Sequence, residues 1–269
     1  MTPSGGGLQA AVGSLATRVL QHERLLVATL LLGVIAASWA YLLRGAGTLQ
    51  EMGGMVMPMS SGPWDAGHAA VMLGMWVAMM TAMMLPSAAP MILLFATVAG
   101  ARAAGGALTT GLFALGYLVV WSGFSGVAVA LQYALEKVRL LSPMMEITSV
   151  AVAGLLFIAA GAYQWMPLKR ACLRHCRSPL EFVVAHWRPG RPGAFRMGLR
   201  HGAYCVGCCW VLMMLLFVGG LMNLLWVGAL AAFVLAEKLV PGGLWLGRLA
   251  GLGLVAWGAW ILLSARGWA

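Results

Sequence analysis

Hydrophobic positions along this chain gather into seven runs, separated by short stretches rich in glycine, proline or charge. The first, Leu25–Leu43, is about 19 apolar residues, long enough to cross a bilayer as a helix at roughly 1.5 Å per residue. It lacks the short apolar core and small-residue cleavage site of a secretory signal, so it reads as a retained helix. The second starts near His68 and runs to about Gly100, with Pro86 and Pro90 expected to kink or break it, since each removes a helical hydrogen bond. Further helices are predicted over about Ala107–Leu135, Met144–Trp165, Met197–Gly219, Asn223–Leu239 and Leu244–Ser264. The pattern predicts an all-α, polytopic membrane bundle of about seven transmembrane helices. Residues 1–24 form a glycine-rich, flexible cytoplasmic lead, 25–264 one helical domain, and 265–269 a short tail.

Composition supports lipid as the solvent. Of 269 residues, 62% are hydrophobic and only 9% charged, where a soluble domain carries about 25% charged residues. Mean hydropathy is +0.90. The net charge of +10 would suit nucleic acid, but the cations lie in loops rather than along one face, and no nucleic-acid partner is expected. The predicted loop 166–197 and its edge hold Lys169, Arg170, Arg174, Arg177, Arg188, Arg191, Arg196 and Arg200 against Glu181 alone. Placing that loop, Arg102 and the Glu237-Lys238 turn inside puts the N-terminus in the cytoplasm and the C-terminus outside. The loop 44–67 and the balanced Glu136/Lys137/Arg139/Glu146 stretch then face outward. A multi-pass protein of the bacterial inner membrane is the expectation.

Sulfur supplies the candidate chemistry. The chain has 19 methionines and 5 cysteines. At 100° per residue, His68, Met72, Met75, Met79 and Met83 fall within an arc of about 80°. Asp65 joins them if the helix begins a turn earlier, and Met80, Met84 and Met91 form a neighbouring stripe. Thioethers are soft ligands that suit Cu(I). Methionine also packs well as a flexible core residue, but this many aligned thioethers headed by a histidine favour metal. His201, Cys205 and Cys208 lie within about 60° on the fifth predicted helix, with Cys209 just beyond and Met213 further on. Counting from the helix ends places Met79–Met83 and Cys205–Cys209 at similar depth. They can share an ion if the second and fifth helices are neighbours. Two thiolates would leave a buried Cu(I) complex with one net negative charge, which is costly in lipid.

Two further groups are weaker candidates. Cys172, His175 and Cys176 sit among arginines that oppose a cation while favouring thiol reactivity. Met52, Met55, Met57 and Met59 in the outer loop suit either Cu(I) capture or a plain linker.

The run Met75-Trp-Val-Ala-Met79-Met-Thr-Ala-Met-Met-Leu-Pro86-Ser-Ala-Ala-Pro90-Met resembles the signature of bacterial predicted metal-binding integral membrane proteins, a domain of unknown function. So do Pro167-Leu-Lys-Arg-Ala-Cys172-Leu-Arg-His-Cys176 with Ser178-Pro179, His201 to Met213, and Glu237-Lys238. The likeness covers roughly residues 64–250. Some members of that family are described as copper chaperones that help load copper-containing oxidases, so the resemblance implies copper. It brings no ligand set with it.

The expected function is a Cu(I)-binding chaperone or carrier, serving a copper-dependent oxidase or another copper-carrying protein. Silver fits the same ligands, whereas thioethers argue against zinc. Two alternatives stay open: a membrane thiol–disulfide oxidoreductase using Cys205-Val-Gly-Cys208, and a structural or assembly subunit of a membrane complex. An enzyme is otherwise not expected, because paired carboxylates, nucleophile motifs and a Walker loop are missing.

Overall fold

Where lipid replaces water, a chain must satisfy its own backbone groups, and long apolar runs therefore fold as helices. In the computed structural model of this chain, residues 23–45, 64–100, 106–142 and 144–265 are described in full, and 5–22, 49–52, 55–58 and 101 by backbone course alone. The helices are α1 (Gly5–Leu43), α2 (Ala66–Ala101), α3 (Gly106–Lys137), α4 (Val150–Tyr163), α5 (Pro167–Arg177), α6 (Pro179–His186), α7 (Gly190–Met214), α8 (Leu216–Gly219), α9 (Leu224–Leu239) and α10 (Gly243–Ser264). Between α1 and α2, β1 (Leu49–Met52) and β2 (Met55–Pro58) pair as an antiparallel ribbon.

Five of these helical stretches are long and apolar enough to cross a membrane: Glu23–Leu43, Ala66–Gly100, Gly106–Lys137, Gly190–Gly219 and Gly243–Ser264. The pair α4 and α5, bent by 63°, makes a sixth if counted as one span. Among the described residues five or six of the roughly seven expected spans meet that length and composition. Ser149 caps α4, its side chain accepting from Val152 N, so that helix has 14 residues rather than starting at Met144. Helix α9 has 16. Both are shorter than the roughly 20 residues that cross a bilayer unaided. The outward faces remain apolar, with Leu30 and Leu32 of α1 and Leu249 of α10 each more than 60% exposed, a surface compatible with lipid contact.

Three local differences matter for the site. The predicted loop 166–197 is largely helical: Pro167 and Pro179 stand at the first positions of α5 and α6, where a missing N–H costs nothing. Helix α1 extends back to Gly5 through the predicted flexible lead. Pro86 and Pro90 lie inside an unbroken α2. In their turn the Met84 carbonyl accepts from Ser87 Oγ (2.8 Å) and from Tyr117 Oη of α3 (3.1 Å), which ties α3 to the proline-bearing turn of α2.

Helix α2 runs through the middle, packed on α1, α3, α9 and α6, and α3 packs most extensively on α7. That last contact depends on glycine. A Cβ at Gly198 would collide with the Phe113 backbone, and one at Gly116 with the Phe195 carbonyl, so the two helices approach at backbone distance.

Candidate metal centre

The thiols converge. Helix α5 lies against α7 so closely that a Cβ at residue 207 would stand 2.8 Å from Cys172 Sγ. Cys176, one turn along α5, is buried close enough to Cys205 and Cys208 to interact with both. The two cysteine groups that the sequence keeps apart thus meet on one wall. All five are free thiols, and Cys176, Cys205, Cys208 and Cys209 are buried. Cys208 and Cys209 each donate to the Cys205 carbonyl at 3.0 Å, which occupies their hydrogens and leaves their sulfur lone pairs unused by those bonds.

Three other helices complete the surroundings of Cys205. From α9, Lys238 Nζ donates to Cys205 Sγ at 3.0 Å and to Ser87 Oγ of α2 at 2.9 Å. From α3, Tyr117 Oη lies 3.1 Å from the same sulfur. From α2, Met84 Sδ lies 3.9 Å from Cys209 Sγ. Helices α2 and α7 therefore meet, as the depth argument requires, but through side chains; the principal neighbour of α7 is α3. The methionine in contact with the thiols is Met84, from the stripe beside the one singled out. His201, one turn before Cys205, is 2% exposed, its ring stacked near Tyr117 and Phe113 and its Nδ1 without a hydrogen-bond partner.

Lys238 was expected in a cytoplasmic turn with Glu237. Both belong instead to the last turn of α9 and are buried. Glu237 forms a buried ion pair with Lys169 of α5 at 2.7 Å. Lys169 also donates to Gln164, and Arg177 to the Glu237 and Val240 carbonyls. The basic segment is thus more than a topology signal. Lys169 and Arg177 clamp α5 to α9 and hold Cys172 and Cys176 against α7.

The other expected residues distribute as follows. Met72, Met75, Met79, Met80, Met83, Met84 and Met91 are all buried along α2, and Met213 is buried on α7. Asp65 is exposed and acts as the cap of α2, its Oδ1 accepting from His68 N at 2.7 Å. His68 is buried, its ring 4.7 Å from that of Trp64 and its Nε2 without a partner. His175 stacks on Tyr204 at 4.1 Å and its Nδ1 meets the Ala171 carbonyl. Met52, Met55 and Met57 lie on the β ribbon, where only the backbone is described, and Met59 lies outside the described residues.

Tyr117, Ser87 and Lys238 were not foreseen as members of this site. A lysine inside an apolar run was the available signal for the last, because an ionisable group at membrane depth needs a partner. No three His, Cys, Asp or Glu side chains among the described residues are grouped tightly enough to cage an ion. Cu(I) does not need such a cage, since two soft donors in a line satisfy it, and the thiols and Met84 are soft donors. Comparison with known proteins agrees with that chemistry. A family model described as copper chaperone, PpoB2, matches residues 73–261, well over half of the chain. No curated protein and no solved structure matches.

Proposed function

The chain belongs to the copper chaperone family PpoB2, and from that premise we propose that it carries Cu(I) within the bacterial inner membrane and hands it to a copper-dependent enzyme. The ion is held by two thiolates from the Cys176/Cys205/Cys208/Cys209 group, with Met84 at the edge. The observation that carries this reading is the convergence of α5 and α7 thiols around Cys205, with the Lys238 ammonium 3.0 Å from its sulfur. Cu(I) with two thiolates has one net negative charge. Lys238 neutralises it, which removes most of the penalty for burying the complex.

The methionines of α2 give the ion a route. Met72 and Met84 are twelve positions apart, about 18 Å along a helix. Met75, Met79, Met80 and Met83 lie buried between them. Thioethers hold Cu(I) more weakly than thiolates and carry no proton, so they suit transit while the thiols suit storage. The N-terminus is placed in the cytoplasm, because the arginines of 166–200 then face inward. Recipients outside the cytoplasm would meet the His68 end.

The test is purification of the full chain under reducing, anaerobic conditions, Cu(I) reconstitution and elemental analysis. Near-stoichiometric copper is expected in wild type, with loss in Cys205→Ser/Cys208→Ser and weakening in Met84→Leu. A wild-type chain that takes up no Cu(I) refutes the proposal. One observation favours a thiol–disulfide oxidoreductase instead: the Lys238 contact also suits a reactive Cys205 thiolate. Against it, Cys205 and Cys208 are 1% and 0% exposed, beyond the reach of a partner's disulfide. A chain whose activity needs the cysteines, ignores the α2 methionines and binds no copper would establish that alternative.

A further inference from the structure

We propose a second soft-metal site at the His68 end of the bundle, built from the Met72 and Met145 thioethers and His68 Nε2 and closed by the Gln132 side chain. It rests on the copper reading above and locates where the ion is held at the end that recipients would meet.

Met145 lies in the connection between α3 and α4, outside any helix, and its φ is +57°. A non-glycine residue in that region costs about 1–2 kcal/mol and persists only where the surroundings enforce it. The turn is fixed by Met145 N donating to the Ser142 carbonyl (2.9 Å) and Ile147 N to the Phe217 carbonyl (2.7 Å). Its neighbour Met144 is 52% exposed, whereas Met145 is fully buried. The strained residue is the one whose sulfur is turned inward.

That sulfur has a counterpart. Gln132 Nε2 of α3 lies 3.6 Å from Met145 Sδ and 3.4 Å from Met72 Sδ of α2. Two thioethers from different elements therefore converge on a single point, held at present by an amide N–H. Thioether sulfur is a weak hydrogen-bond acceptor and a good ligand for a soft cation. The amide is anchored at both ends, its Oε1 accepting from Trp76 Nε1 at 2.9 Å and its Nε2 donating to Glu136 Oε1 at 2.9 Å.

A third donor stands one helical turn before Met72. His68 is 5% exposed, yet its Nε2 has no hydrogen-bond partner, an expensive state for a buried imidazole unless it serves a ligand. Glu136, which also accepts from Trp64 Nε1 at 2.6 Å, adds negative charge beside the point of convergence. Two thioethers, one imidazole and a nearby carboxylate select a monovalent soft cation over a hard divalent one. Rotation of the Gln132 amide away from the sulfurs admits the ion.

The test uses Ag(I) as a redox-inert stand-in for Cu(I), titrated anaerobically into the full chain in lipid nanodiscs against a competing chelator. X-ray absorption at the silver edge reads the ligands. In a Cys205→Ser/Cys208→Ser background, Ag(I) is expected to remain bound at thioether distances. Adding Met72→Leu/Met145→Leu should weaken it at least tenfold, with thermal unfolding unchanged because the volumes match. Gln132→Ala, which spares every donor, should tighten it. The inference is overturned if the methionine changes leave Ag(I) binding in that background unaltered, if the folded thiol-depleted chain binds no Ag(I), or if Gln132→Ala weakens binding. Thiol-depleted and wild-type chains that bind alike would instead sink the thiol centre and leave this site standing.

Discussion

Lys238→Met asks most directly whether charge balance governs the thiol centre. Methionine nearly matches the lysine stem in volume and stays apolar, so the packing of α9 on α2 survives. What disappears is the ammonium 3.0 Å from Cys205 Sγ and 2.9 Å from Ser87 Oγ. Ser87 keeps its own bond to the Met84 carbonyl, so no buried hydroxyl hydrogen is orphaned. A hydrogen bond to a charged group contributes about 1.5–3 kcal/mol. At 1.4 kcal/mol per decade, its loss from the copper-bound state predicts Cu(I) affinity about ten- to a hundredfold lower. Lys238→Arg, which keeps the charge but not the geometry, should recover part of that loss. The assay is anaerobic competition against a Cu(I) chelator, with thermal unfolding of the metal-free chain as the folding control. A folded Lys238→Met chain with wild-type affinity would refute the charge argument and leave the thiols binding Cu(I) without help from α9.

Glu237→Gln strands the Lys169 charge in a site where both partners are 2% exposed. A loss of about 3–5 kcal/mol in stability is expected in detergent melts, and the companion change Lys169→Met should restore much of it. Gly198→Ala forces α3 and α7 apart at Phe113, so overpacking of about 1–3 kcal/mol and a less accessible thiol wall should appear in melts and thiol labelling. Tyr117→Phe removes the hydroxyl that donates to the Met84 carbonyl at 3.1 Å. A stability loss of about 1 kcal/mol is expected, with Cu(I) stoichiometry unchanged; loss of copper would make Tyr117 a ligand rather than a support.

Sequence alone determined the long apolar helices, though not α5 and α6 within the predicted loop. An apolar run of membrane length has few folds open to it, because its backbone must be satisfied locally, and the 3.6-residue period then fixes which side chains share a face. Met72, Met75, Met79 and Met83 do share a buried wall, and His201, Cys205 and Cys208 another. The period says nothing about which neighbour each wall meets. Helix α2 is enclosed by four others, so both of its methionine stripes are buried, and Met84 of the second stripe reaches the thiols. The meeting of Cys176 with Cys205 depends on the 63° bend between α4 and α5. Pro167 announces a helix start there, but the few dihedrals at Gln164–Met166 set the bend's direction. Burial of Glu237 and Lys169, a contact across 68 residues, then locks it. Long apolar helices and soft-ligand faces were legible because they follow from local chemistry. The centre itself required the tertiary structure, because it is assembled from side chains of five helices whose packing no local rule encodes.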